Sequence, residues 1–223
     1  MKAADVLTHA RALLLDFDGP VCSVFAGVPA STVAEQLRDV LADSGQADLP
    51  ESVASSADPF DVLQYAATLG EDEARHVEAA FAAHEVEAIS SAIPASGAHE
   101  LIEAWHASGR PIAVVSNNGA AAIGAYLDLY DLRASINFVS ARTSSNTALL
   151  KPSPFLLNKA VNALDVTPGE AVLLGDSASD IEAAQAAGVR SIGYANKPGK
   201  DSMLTAAGAD AVTDALTGLT TVV

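Results

Sequence analysis

Short continuous apolar runs recur along most of the chain: 12–15 ahead of Asp16, 111–115 ahead of Ser116, then 135–139, 171–174 and 190–194, with a weaker run at 210–212. Runs of this length suit strands buried on both faces. Between them, apolar positions take up a helical spacing at 98–107, 120–129, 154–164 and 181–187. Their flanks carry start and stop chemistry: Gly109 and Gly188 close the first and last, an Asn-Gly pair opens the second, and Ser153 precedes the third. Strands alternating with helices predict an α/β, Rossmann-like fold, a parallel sheet with helices on both faces.

The stretch 21–93 breaks this alternation. Ser31 reads as an N-cap, followed by one apolar helical face of Val33, Leu37, Val40 and Leu41 before Gly45. Asp58-Pro59 opens a second helix that runs to Leu69, a third covers 71–89, and Pro94 marks the return to the sheet. The organisation expected is a core from 1–20 and 94–223, with an all-helical cap, 21–93, inserted after the first strand. No internal repeat or low-complexity linker interrupts it.

Composition narrows the function. Half of the 223 residues are hydrophobic, enough for a substantial core, and Ala-rich stretches with few aromatics suit helices over a sheet. A formal net charge of −16 argues against a nucleic-acid or anionic-membrane surface, since both need clustered cations. It leaves a buried anion site open, because charges beyond about 10 Å are screened at ordinary salt. The single Cys22 cannot form an intrachain disulfide, and no zinc-type cysteine spacing exists. Asp5, His9, Arg11 and Asp16 interrupt the first residues, so neither a signal peptide nor a membrane span is read there, and a cytoplasmic protein is expected.

Four places carry chemistry. Asp16 and Asp18, in Asp16-Phe17-Asp18-Gly19, fall on one side of an extended chain. Two close carboxylates need a cation or a shared proton, unless they are simply an acidic turn. In Gly175-Asp176-Ser177-Ala178-Ser179-Asp180, the spacing of Asp176 and Asp180 gives one helical face if a helix begins there, and first-turn acids are the plainer reading. Ser116, with Asn117 and Asn118, offers a hydroxyl and backbone N–H groups at a helix start, suited to an anion or to ordinary capping. Lys151, ahead of Pro152-Ser153-Pro154, is a surface charge or a neutralising cation. Sites in open parallel sheets form at the carboxyl ends of strands, where these acids would converge into an oxygen-rich site suited to Mg²⁺.

In this order, the four motifs resemble the haloacid dehalogenase-like hydrolase superfamily over about 1–20 and 94–223, and the helical insertion is similar to the cap of its phosphoglycolate phosphatase-like group. The resemblance implies a Mg²⁺-dependent phosphohydrolase acting on a small phosphorylated metabolite through an aspartyl-phosphate. Asp16 would be the nucleophile and Asp18 the general acid and base. Asp16, Asp176 and the Asp18 carbonyl would hold Mg²⁺, with Asp180 in support. Ser116, the Asn117 N–H and Lys151 would hold the phosphoryl oxygens. Asp18 favours phosphate esters over carbon–halogen bonds, because members that cleave the latter lack an acid there. Pro20 departs from the usual small residue and touches the hinge between core and cap.

A phosphomutase on a sugar phosphate and a non-catalytic phosphate-binding regulatory protein are the alternatives. A serine esterase of the GDS type needs a later histidine, yet the last one is His106. Receiver domains place their lysine differently. The five histidines read as surface or cap residues, Trp105 as core and Cys22 as packing. In the cap, Arg38, Arg75, His76, His84 and the loop 55–60 are possible substrate contacts.

Overall fold

The computed structural model describes residues 2–222. Helix α1 (Ala3–Thr8) leads into β1 (Ala12–Leu15). Strand β2 (Cys22–Ser23) then opens an insertion of α2 (Ala30–Asp43), α3 (Glu51–Ala54), α4 (Pro59–Leu69) and α5 (Glu71–Ala88), and β3 (Ile93–Pro94) closes it. The chain continues through α6 (Ala98–Ala107), β4 (Ile112–Gly119), α7 (Ala120–Leu129), β5 (Phe138–Arg142) and α8 (Phe155–Ala163). It ends with β6 (Ala171–Gly175), α9 (Ala178–Ala187), β7 (Arg190–Tyr194), α10 (Lys200–Ala206) and β8 (Ala211–Thr213).

Among the described residues, six strands form one parallel sheet in the order β5-β4-β1-β6-β7-β8. The chain winds to one side of β1 through β4 and β5, and to the other through β6, β7 and β8. The order therefore reverses at β1, which is where open α/β sheets form their binding crevice. Strand alternation splits the buried side chains between the sheet's two faces. Leu13, Leu15, Val114 and Val172 pack with Trp105 and Tyr126 on one. Ala12, Leu14, Ala113 and Val115 lie on the other, in a cluster that runs on into Val33, Leu37 and Phe81 of the insertion. The insertion and the sheet thus share apolar core. Strands β2 and β3 pair antiparallel, Cys22 opposite Pro94, and form the neck through which the chain leaves and returns. No helix among the described residues is long and apolar enough to cross a membrane.

Several boundaries differ from those read in the sequence. Helix α2 starts at Ala30 with Pro29 at its N-cap, so Ser31 lies inside the first turn and caps nothing. Strand β5 covers Phe138–Arg142 rather than 135–139, because a 3₁₀ turn takes Arg133–Ser135. Two of its last three residues, Ser140 and Arg142, are polar but buried, Ser140 donating to the Leu156 carbonyl at 2.8 Å, and an apolar run cannot reveal them. Helix α9 begins at Ala178, with Ser177 as N-cap and Asp180 completing a capping box. Asp176 therefore precedes the helix instead of sharing its face with Asp180. His99 is half-buried in the core, 2.8 Å from the Tyr126 hydroxyl, rather than on the surface.

Candidate active site

Leu15, the last residue of β1, pairs with Val114 on one side and Leu174 on the other. The chain segments that follow, carrying Asp16, Ser116 and Asp176, emerge side by side at the carboxyl edge of the sheet. Asp16, Asp176 and Asp180 are all buried, and each places one carboxylate oxygen within 4.8 Å of the others. Lys151 reaches in from the β5–α8 connection. Its Nζ lies 2.8 Å from Asp16 Oδ1, donates to the Val115 carbonyl at 3.0 Å and pairs with Asp180 Oδ1.

Asp180 is fully engaged. Its Oδ2 accepts from the Asp176 and Ser177 N–H groups at 3.1 and 3.0 Å and from the Ser177 hydroxyl at 2.6 Å. Asp176 Oδ2 accepts from Asn196 Nδ2 at 2.9 Å and from Lys200. The turn after Asp16 packs directly on this cluster. Gly19 sits at φ 120°, and a Cβ there would come within 2.4 Å of the Asp176 carboxylate, so glycine is required twice over. Pro20 is buried in the same turn, and its missing donor leaves no gap: Val21 and Cys22 N–H both reach the Phe17 carbonyl at 3.1 Å.

Electrostatics follow from three buried acids paired with Lys151 and Lys200. Burial, then the nearby Asp180 and Asp176 charges, push Asp16 up to about 7 against the opposing pull of Lys151. Asp18 is also raised, by burial, although its Oδ1 accepts from Val24 N–H at 3.0 Å. The Lys151 ammonium is held well above the usual lysine range by Asp16 and Asp180, which outweigh the burial that opposes them. The cluster carries more negative charge than its lysines offset. Its donors are all hard oxygens, which fits a divalent cation such as Mg²⁺.

The Ser116–Gly119 segment extends β4 past the strand end expected at Ser116, with a register shift against β5 between Ser116 and Gly119, and α7 begins at Ala120 as its pattern predicts. Its amides are not simply free at a helix start. Asn118 N–H lies 3.3 Å from Ser116 Oγ, and Gly119 N–H donates to Glu85 Oε2 at 3.0 Å. Asn117 ties this segment to Lys151 through its side chain, donating to the Lys151 carbonyl at 3.0 Å and accepting from its N–H at 2.8 Å.

A cavity of about 600 Å³ opens over these groups, lined on the core side by Asp16, Asp18, Ser116, Lys151 and Asp176. The insertion supplies Phe25, Asp58, Pro59, Phe60 and Gln64. The loop 55–60 therefore reaches the cavity, whereas Arg38, Arg75, His76 and His84 do not line it. Arg38 instead supports that loop, donating to the Ser56 carbonyl at 2.8 Å, and Arg75 pairs with Asp72 on the surface. Trp105 is fully buried. Cys22 is buried too, its thiol pushed far up by burial, so it packs rather than reacts.

Four residues of this region escaped the sequence reading. Asn196 and Lys200 follow β7 at the same sheet edge, so their position at a strand end was the available signal. Glu85 and Arg142 form a buried ion pair beside the Ser116 segment, for which the sequence carries no signal.

The profile of the haloacid dehalogenase-like hydrolase family matches residues 38–194, a stretch that includes Ser116, Lys151 and Asp176. The plasmid phosphoglycolate phosphatase of Cupriavidus necator is 31% identical over 97% of this chain and 94% of its own length. Among solved structures, a putative phosphoglycolate phosphatase from Lactobacillus plantarum superposes with a TM-score of 0.70 at 21% identity, over 96% of this chain and 99% of its own. CbbY from Rhodobacter sphaeroides in complex with phosphate gives 0.65 at 20% identity, over 94% and 96%. The chain belongs to the haloacid dehalogenase-like hydrolase family. It is a phosphatase of that family.

Proposed function

We propose that the protein is a Mg²⁺-dependent hydrolase of a small phosphomonoester, working through an aspartyl-phosphate on Asp16. The observation that carries this reading is the buried cluster of Asp16, Asp176 and Asp180 beside Lys151 at the switch point of the sheet. The Asp16 carboxylate, 2.8 Å from the Lys151 ammonium and lining the cavity, supports the reading of Asp16 as the nucleophile.

Asp16 Oδ forms the new bond to phosphorus as the ester P–O bond breaks, and Asp18 gives its proton to the departing alcohol oxygen. The upward shift of Asp18 suits it to carry that proton. Asp18 then takes a proton from water as the water oxygen attacks phosphorus. The bond between Asp16 and phosphorus breaks, and inorganic phosphate leaves with the Asp16 carboxylate restored. Ser116, the Asn117 N–H and Lys151 hold the phosphoryl oxygens through both steps. Asp16, Asp176 and the Asp18 carbonyl would hold Mg²⁺, which supplies charge neutralisation for the phosphoryl group and favours the ionised form of Asp16. Asp180, with both oxygens engaged, orients Lys151 and the turn at Asp176.

The cavity admits a leaving group of metabolite size. Phosphoglycolate, named for the Cupriavidus relative, is the first candidate to try, alongside uncharged and cationic esters. The test is acid quench during turnover over such a panel, with and without Mg²⁺. A phosphorylated peptide containing Asp16, formed only with Mg²⁺, is the expected result. Turnover that leaves Asp16 unlabelled and proceeds in chelator would overturn the reading.

A further inference from the structure

Glu85 takes no part in the reaction described, yet it is fully buried on α5 of the insertion and faces the core. Its Oε1 accepts from Asn118 Nδ2 at 2.9 Å, and its Oε2 accepts from the Gly119 N–H at 3.0 Å and from Arg142 Nη2. Arg142, whose side chain is also fully buried, donates through Nε to the Asn117 carbonyl at 3.1 Å. Its Nη1 meets Glu78, about two turns earlier on the same face of α5, at 2.6 Å, and its guanidinium carbon lies 4.6 Å from the centre of the Phe81 ring. One ion pair thus grips three successive residues, 117, 118 and 119. The contact is close: a Cβ on Gly119 would stand 2.8 Å from Glu85 Oε2.

The chemistry of the pair fixes more than position. A carboxylate only accepts, so Asn118 must turn its Nδ2 toward Glu85 and its Oδ1 the other way. That Oδ1 accepts the Ser116 hydroxyl at 3.0 Å, and the Asn118 N–H approaches Ser116 Oγ at 3.3 Å. The Ser116 oxygen is therefore held at a fixed place before any phosphate arrives. Its proton can then turn to a phosphoryl oxygen while the backbone N–H keeps the oxygen in position.

We propose that Glu85 and Arg142 are positioning residues: through Asn118 they set the Ser116 hydroxyl, and they join the phosphate-holding segment to the helical insertion. The proposal rests on the phosphate-holding role given to Ser116 above. It makes the insertion part of the phosphate site as well as a cover over it. Glu78 provides the control, because it pairs with Arg142 without touching residues 116–119 in any bond described.

The experiment measures inorganic phosphate binding by calorimetry in Mg²⁺, together with Tm and the KM and kcat of the best ester, in Glu85→Gln, Asn118→Ala, the double variant and Glu78→Gln. Glu85→Gln is expected to weaken phosphate about tenfold, the size of one charge-assisted hydrogen bond, and to raise KM in parallel. Asn118→Ala should do the same, and the double variant should lose little more, since the two act in series. Glu78→Gln should lower Tm yet keep phosphate affinity within about twofold. A folded Glu85→Gln protein that binds phosphate like the wild type would overturn the proposal, as would additive effects in the double variant. If Glu85→Gln does not fold, Asn118→Ala decides, and unchanged affinity there overturns it. Wild-type protein that binds no phosphate and releases none from any ester instead removes the phosphatase reading, and this proposal with it.

Discussion

Two buried charge clusters lie at the same edge of the sheet, and they are built on opposite terms. At the end of β1, three carboxylates share the space with Lys151, and the proton affinity of Asp16 climbs to about 7. Beside β4, the Glu85 carboxylate has both oxygens covered, by Asn118, Gly119 and Arg142. Burial raises Glu85 as well, but Arg142 and three hydrogen-bond donors oppose it. The first cluster has charge left over for something that comes and goes. The second is closed on itself and holds shape. A buried acid marks chemistry when its surroundings leave it unbalanced, and architecture when they do not.

That contrast breaks most sharply on removal of one acid from each side. Asp16→Asn should cut turnover by about 10⁴-fold or more, on the scale of nucleophile deletions, measured as phosphate release at saturating Mg²⁺. In chelator the same variant should melt at or above the wild-type temperature. It removes one of three clustered acids and leaves Lys151 still paired with Asp180. Glu85→Ala should behave in reverse and lose about 3–5 kcal/mol in denaturant unfolding, because it leaves the buried donors of Asn118, Gly119 and Arg142 Nη2 without their acceptor and Arg142 with Glu78 as its one remaining carboxylate. A destabilised Asp16→Asn protein, or a fully stable Glu85→Ala protein, would erase the distinction.

The next effect is set by the cation. Mg²⁺ at about a hundredfold over its Kd should add about 2.7 kcal/mol of stability to the wild type, seen as a rise in Tm without substrate. Asp176→Asn should lose most of that rise while keeping the melting temperature in chelator. Glu78→Gln should keep the rise and lose stability in both conditions. A Tm response to Mg²⁺ that survives Asp176→Asn would move the metal out of this cluster.

How much of this was legible in the sequence follows from the same physics. Asp16 and Asp176 could be read because each ends a continuous apolar run, and a parallel sheet collects such ends at one edge. Lys151 could be read only by its order among the motifs, since its burial depends on contacts with Asp16 and Asp180 far off in sequence. Glu85 could not be read at all. It sits in an acid-rich helix that looks like a solvated face, and its partner Arg142 lies 57 positions away at the polar end of a strand. Helices α1, α3 and α10 were missed because four to seven residues are too few to display a helical period.

The smallest expected effect belongs to a third acid, on the opposite wall of the cavity. Asp58 N-caps α4 through the Phe60 N–H at 2.9 Å, and burial raises its proton affinity. It stands among Pro59, Phe60 and Gln64, where the leaving group of an ester held by Lys151 would lie. Asparagine caps a helix as well as aspartate does, so Asp58→Asn keeps α4 while removing one negative charge from that wall. The charge is partly exposed and screened, which limits its reach to a factor of about three in KM. That factor should appear for phosphoglycolate, whose leaving group carries a carboxylate, and not for 2-hydroxyethyl phosphate, its uncharged match in size. Steady-state kinetics on the pair separate the cases. A drop in KM for the carboxylate ester alone makes Asp58 a charge filter on the leaving group. Equal shifts for both leave it a helix cap, and the unbalanced charge of this enzyme then lies entirely on the core side of the cavity.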